Sequence, residues 1–171
     1  VIAAVDKYQD LLRISVASAG NDHRLGANEA PPAIVSMFIG EELENILSSI
    51  ERGAKYSEIE PEVLKITSGL IPKFDKDKTD RNRTSPFAFT GNKFEFRMVG
   101  SDMSVSSANI VINTAVADAL GDFADVLENS EDFDATVNNL IRNSFRDHKR
   151  IVFNGNNYSD EWVKEAEARG L

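Results

Sequence analysis

Lys93-Phe94-Glu95-Phe96-Arg97 alternates charged and aromatic side chains, so in a strand Lys93, Glu95 and Arg97 share one face. Residues two apart on that face stand ~6.5–7 Å apart along the strand. A carboxylate at that spacing can hold a hard cation while the arginine grips a phosphate that the cation neutralises. Magnesium is commonly bound by one or two carboxylates plus phosphate oxygens. The planar guanidinium fork suits phosphate better than a point charge does. The same pattern also describes an exposed salt-bridge ladder of little energetic value, and pattern alone favours that reading.

Two further constellations carry comparable ambiguity. In Asp80-Arg81-Asn82-Arg83-Thr84-Ser85, two arginines two apart precede a strand and could clamp phosphate oxygens; a charged loop reads the same way. In Asn21 to Pro32, Arg24 could bind a carboxylate bidentately, and Glu29 stands between a permissive Gly26 and the rigid Pro31-Pro32 exit. Glu29 could therefore act as a base or close a site, although a polar turn with a surface salt bridge is equally compatible.

Charge supports a small anionic ligand over a polymer. The formal net charge of the 171 residues is −9, against the basic footprint that nucleic-acid binding requires. From Lys73 to Arg97, however, seven basic residues face four acidic ones, leaving −12 on the rest of the chain. A basic island in an acidic chain can attract a small anion, and it can also be no more than a solvated loop. The absence of cysteine excludes thiolate chemistry and disulfides, and the two histidines, His23 and His148, lie too far apart for a local zinc motif. No apolar run approaches the ~18 residues of a membrane span. The opening Val1 to Val5, followed by Asp6 and Lys7, lacks the pattern of a signal peptide and reads as the inside of a helix.

The elements that must position these residues follow from periodicity. Val1, Val5, Tyr8, Leu12 and Val16 predict an amphipathic helix over residues 1–17. Ser18 to Asn28 reads as a loop, Ala33 to Ile39 as a short buried strand, and Glu41 to Arg52 as a helix with acids in its first turn and Gly53 as its stop. Residues 54–92 hold three prolines and little period, apart from a helical turn expected over Glu62 to Ile66. Lys93 to Val99 is expected as a strand with Phe94, Phe96 and Met98 on its apolar face. Three helices follow. Ser107 to Glu128 carries Ile110, Ala117, Leu120, Ala124 and Leu127 on one side, and Phe133 to His148 carries Val137, Leu140, Ile141 and Phe145. The third, Asp160 to Arg169, is capped by Ser159 and ended by Gly170. Trp162 reads as a core anchor and His148, beside Lys149 and Arg150, as a surface residue.

In order, HRLGANEAPP (residues 23–32), DRNRTSPF (80–87) and GNKFEFRMVGS (91–101) resemble the glutamine synthetase family, in particular its type III branch. The tail HKRIVFNGNNYSDEWVKEAEARGL (148–171) resembles the same branch, so the likeness covers nearly the whole chain. It implies a cytoplasmic ligase that joins glutamate and ammonia at the expense of ATP through γ-glutamyl phosphate. Magnesium or manganese would be required, in a homo-oligomeric ring with neither nucleic-acid nor membrane partners. It further implies that Arg24 binds the substrate glutamate and that Glu29 closes the site and takes a proton from ammonium. Arg83, with Arg81 as a second contact, would meet nucleotide phosphate. Glu95 would bind metal, and Arg97 would steady the phosphoryl group. Lys93 stands where many relatives carry arginine, so its nucleotide role follows less directly. The Arg24-to-Glu29 spacing is one residue shorter than in the common bacterial type, and residues 54–79 read as a type-specific insertion.

The expected fold class is α+β. Residues 1–106 would be the C-terminal portion of the catalytic half-barrel, built of short antiparallel strands, and 107–171 a helical region. The family's other metal ligands, its glycine-rich substrate loop and its N-terminal β-grasp domain have no counterpart in these residues. The chain is therefore expected to be a fragment, inactive alone. Two other readings stay open: a glutamate–amine ligase on the same scaffold, and a helical assembly or regulatory module without catalysis.

Overall fold

The opening amphipathic stretch folds as two helices, α1 (Ile2–Lys7) and α2 (Gln9–Ser15), rather than one. The break falls at Tyr8, with φ −118° and ψ 23°, whose hydroxyl donates to Asp118 at 2.6 Å. Lys7 donates to the same carboxylate at 2.7 Å, so the break pins the N-terminal helices to a later one. Val5, Leu12 and Val16 enter the core as their spacing requires. The computed structural model describes residues 1–25, 34–56, 85–155 and 159–169. The helical turn expected over Glu62 to Ile66, the insertion expected at 54–79 apart from its first three residues, and the stop at Gly170 lie outside these residues.

Part of the expected loop Ser18 to Asn28 is instead helix α3 (Ala19–Arg24). Gly20 and Asn21 are weak helix formers, which is why the stretch reads as a loop. Tertiary bonds override that weakness. The Ser18 hydroxyl accepts from the Asn21 amide, and the buried Asn21 side chain donates to the carbonyls of Val16 at 2.7 Å and Met98 at 2.8 Å.

The sheet is small. Strands β1 (Met37–Phe38), β2 (Phe87–Phe89) and β3 (Phe94–Phe96) lie in that order, with Phe87 opposite both Met37 and Phe96. The β2–β3 pair is antiparallel, but β1–β2 is parallel, which corrects the expectation of antiparallel strands throughout. Parallel neighbours need a crossover connection, and α4 (Glu41–Arg52) lies between these two strands in the chain. That helix begins and ends as its acids and Gly53 predict; Gly53 adopts the left-handed φ of 65° that favours glycine. Strand β2 falls within the stretch that looked irregular.

β3 is also shorter than its alternation suggests. The chain turns at Arg97 and Met98, so Met98 is fully buried whereas Phe94, of the same expected apolar face, is 44% exposed. Phe94 nonetheless stacks on Phe87 with ring centroids 5.6 Å apart.

The later helices are α5 (Val105–Glu128), α6 (Phe133–His148), a 3₁₀ turn (Lys149–Ile151) and α7 (Asp160–Ala168). The face expected inward on α5 points out: Ile110 is 66% and Leu120 59% exposed. The helix buries Ala108, Ala115 and Ala119 instead, with Ile112 and Val116 partly covered. α5 has two apolar stripes, and the one with small residues lets α1 approach closely, Ala4 packing on Ala115 and Ala119. On α6, Phe145 is buried as expected but Ile141 is exposed. A single apolar core joins Val35, Met37 and Phe87 of the sheet region to Ala108, Phe145 and Ile151 of the helical region. The observed class is mixed α+β with a three-stranded sheet and a majority of helix. None of the described helices is long and apolar enough to cross a membrane.

His148 is not a plain surface residue. Its Nδ1 lies 2.8 Å from Oδ2 of Asp6, whose other carboxylate oxygen accepts from Arg150 Nε at 2.7 Å. The Asp6 side chain is 4% exposed, against 30% for His148 and 60% for Arg150. This asymmetry sets the expected effect of Asp6→Asn: both partners can turn to water, so the loss is confined to weakened charge-assisted bonds, about 2 kcal/mol by urea unfolding. No measurable change would mean that the node does not join α1 to α6.

Candidate functional site

The charged residues of β3 sit on a hairpin that the aromatic residues hold in register. Ala88 faces Glu95, Phe89 faces Phe94, and the turn between the strands closes through a bond from the Thr90 amide to the Lys93 carbonyl at 2.9 Å. Gly91, at φ 88°, supplies the positive φ that this turn requires. Lys93 Nζ lies 3.6 Å from Glu95 Oε1, with the lysine largely exposed and the glutamate half-buried. At that separation the pair is loose, and a cation approaching Glu95 competes with an ammonium that can swing into solvent.

Arg97 follows immediately and is held at both ends. Its amide donates to the Pro86 carbonyl at 2.7 Å, and its Nη2 donates to the Ser85 carbonyl at 2.9 Å. Ser85 is itself fully buried. Its hydroxyl donates to the Phe153 carbonyl at 2.7 Å and accepts from Ser36 Oγ at 2.8 Å.

Arg24 reaches the same end of β3 from α3. Its Nη2 is 3.2 Å from the Met98 carbonyl and 3.4 Å from that of Val99, and its Nε donates to Asn21 Oδ1 at 3.0 Å. Helix α3, absent from the expected secondary structure, is therefore what carries Arg24 to the strand end. Arg24 thus reaches the Met98–Val99 backbone that follows Arg97, while Lys93, Glu95 and Arg97 come from the one stretch of chain that holds β3. Glu29, Arg81 and Arg83 lie outside the described residues.

Asn21 and Ser85 were missed as contributors. Both are small polar residues in stretches without period, and their work is done through long-range bonds to Met98 and Phe153. Asn21 stands three residues before Arg24, and Ser85 closes the Asp80–Ser85 constellation; those positions were the signals available.

The donor set bears on metal binding. No group of three or more His, Cys, Asp or Glu side chains converges among the described residues. Glu95 offers a single carboxylate, which fits one position of a magnesium ion otherwise held by phosphate oxygens and water, and closes no site by itself.

Comparison with known proteins gives a consistent result. Residues 136–171 match the family model of the glutamine synthetase C-terminal domain. Along its whole length the chain is 47% identical to the glutamine synthetase of Bacteroides fragilis (strain YCH46) and 45% identical to the type-3 glutamine synthetase of Dictyostelium discoideum. It is 46% identical to the glutamine synthetase of Butyrivibrio fibrisolvens. In each case it spans 24% of the relative's length.

Proposed function

We infer that the chain, which belongs to the glutamine synthetase family along its whole length, is a section of an ATP-dependent glutamate–ammonia ligase and supplies one wall of its phosphoryl-transfer site. In the reaction, a glutamate γ-carboxylate oxygen attacks the γ-phosphorus of ATP and ADP leaves. Ammonia then attacks the acyl carbon and expels phosphate. The observation that carries this reading is the bonding of Arg24 to the Met98 and Val99 carbonyls, which sets it against the stretch of chain that holds Glu95 and Arg97.

Each role follows from residue chemistry. Arg97 presents a guanidinium to the transferring phosphoryl group, where charge spread over the equatorial oxygens rewards a fixed donor. Glu95 is the carboxylate that would hold magnesium or manganese, which supplies neutralisation of phosphate charge. Lys93 adds a mobile positive charge for the nucleotide, joined by Arg81 and Arg83. Arg24 would meet the α-carboxylate of glutamate with the guanidinium edge opposite its Asn21 bond. Glu29 would accept the proton that ammonium gives up. We assign residues 1–106 to a catalytic half-barrel and 107–171 to a helical region that packs in a cytoplasmic homo-oligomeric ring.

The test uses the full-length enzyme and the isolated chain side by side. The full-length enzyme should form glutamine with ammonium, and the isolated chain should form none. Glu95→Ala should raise the magnesium concentration needed for half-maximal rate by about tenfold or more, since second-shell changes alone cost that much. An unchanged magnesium requirement would remove Glu95 from the metal site. Preference of the intact enzyme for an alkylamine over ammonium would favour the glutamate–amine ligase. A ring that assembles but turns over neither substrate would favour the assembly module. Ring mass can be read on the same preparation by light scattering.

A further inference from the structure

Two buried hydroxyls, those of Ser36 and Ser85, are linked to Arg97 through the Ser85 carbonyl. Ser85 has no exposed surface, and neither does Ser36. Ser36 donates to Ser85, and Ser85 donates to the Phe153 carbonyl, so the Ser85 hydroxyl has one bond in and one bond out. The carbonyl of this same residue accepts from Arg97 Nη2 at 2.9 Å. Phe153 is in turn held fast: its amide donates to the Met37 carbonyl at 2.9 Å, and its ring stacks on Trp162 with centroids 4.0 Å apart.

We propose that Ser85 is a positioning residue for the phosphoryl-transfer step, its side chain anchoring to the C-terminal segment at Phe153 the backbone carbonyl that aims the Arg97 guanidinium. The inference deepens the reading above and rests on it. An arginine side chain has four rotatable bonds, so an acceptor fixed in space narrows where its guanidinium tip points. A carbonyl acceptor restrains that tip only if the carbonyl is itself immobile. Ser85 stands just before β2, outside the paired register of the three strands, and its hydroxyl bond to Phe153 ties it to the C-terminal segment. The segment from Phe145 to Trp162 thereby supports the reaction through a backbone contact rather than a side chain at the site.

The experiment is a double-mutant cycle in the full-length enzyme, with Ser85→Ala, Arg97→Lys and the pair. Lysine carries all its donors on one nitrogen of a flexible stem, so spending one on the Ser85 carbonyl does not hold the others in the plane and reach of the guanidinium fork. Ser85→Ala is expected to lower kcat about tenfold or more, because misplacement of a positioned group is costly. KM for glutamate and ammonium should stay within about twofold, since binding groups are untouched. In the Arg97→Lys background, Ser85→Ala should lower kcat little further. A serine that acts only on general stability would lower kcat by the same factor in both backgrounds, and that result would overturn the proposal. So would an unaltered kcat in Ser85→Ala. If Arg97→Lys alone leaves kcat unchanged, the role of Arg97 fails first and the positioning role falls with it. Should Ser85→Ala not assemble, Ser85→Cys carries the same cycle, keeping nearly the same volume with a weaker donor.

Discussion

Arg97→Lys should lower the glutamine-forming kcat of the full-length enzyme by about 10²- to 10³-fold, the usual cost of losing one preorganised donor to developing charge. Positive charge is retained in this substitution, so the loss isolates geometry. A guanidinium can spend Nη2 on the Ser85 carbonyl and still offer donors in a fixed plane, whereas the donors of an ammonium all share one nitrogen on a flexible stem. The fold should survive, because the Arg97 amide bond to the Pro86 carbonyl and the Phe87–Phe96 pairing involve backbone only. Rapid-quench measurement of γ-glutamyl phosphate would place the loss on phosphoryl transfer rather than on attack by ammonia. A lysine variant within tenfold of the parent would show that the position supplies charge alone.

Trp162→Ala should destabilise the protein by about 3–5 kcal/mol, the range for removing a large buried aromatic side chain. Trp162 is buried beneath Phe153, at an interplanar angle of 11°, and packs with Ile34 and Ala166; Arg169 lies 5.0 Å from its ring centre on a cation–π contact. Its indole nitrogen has no hydrogen-bond partner among the described residues, so Trp162→Phe gives up area but no polar bond and should cost only about 1 kcal/mol. Urea unfolding monitored by far-UV circular dichroism would separate the two, with the midpoint shifting at constant slope. An alanine variant within about 1 kcal/mol of the parent would mean that α7 is docked by the Arg169 bond to the Arg150 carbonyl and that the aromatic stack is incidental.

Much of the helical framework could be read directly. Glu41 to Arg52 carries its own start and stop signals, three acids in the first turn and a glycine beyond the last, and the helix obeys both. Ser159 before Asp160 works in the same local way. Such signals are legible because capping satisfies backbone groups within a few residues of the cap. The strand through Phe94–Phe96 was also visible, because a period of two is a property of the backbone, although the alternation stops where the chain turns at Arg97.

What could not be read involves partners distant in the chain. α5 offers two apolar stripes, and nothing in its 24 residues says which one α1 will cover. α3 is poor in helix formers and exists because Asn21 bonds the carbonyl of Met98, 77 residues away. His148 looks like part of a solvated basic run until Asp6, 142 residues earlier, is brought beside it.

The sequence by itself therefore determined which charged side chains stand at and just beyond β3, Glu95 and Arg97, and the local helices that carry their own caps. Only the tertiary structure decided that Arg24 meets the end of β3, which face of α5 is buried, and that Ser85 braces Arg97. The reason is physical. Periodicity and capping act over one or two turns of chain, whereas long-range hydrogen bonds and the choice between competing apolar faces depend on which surfaces meet when the core closes.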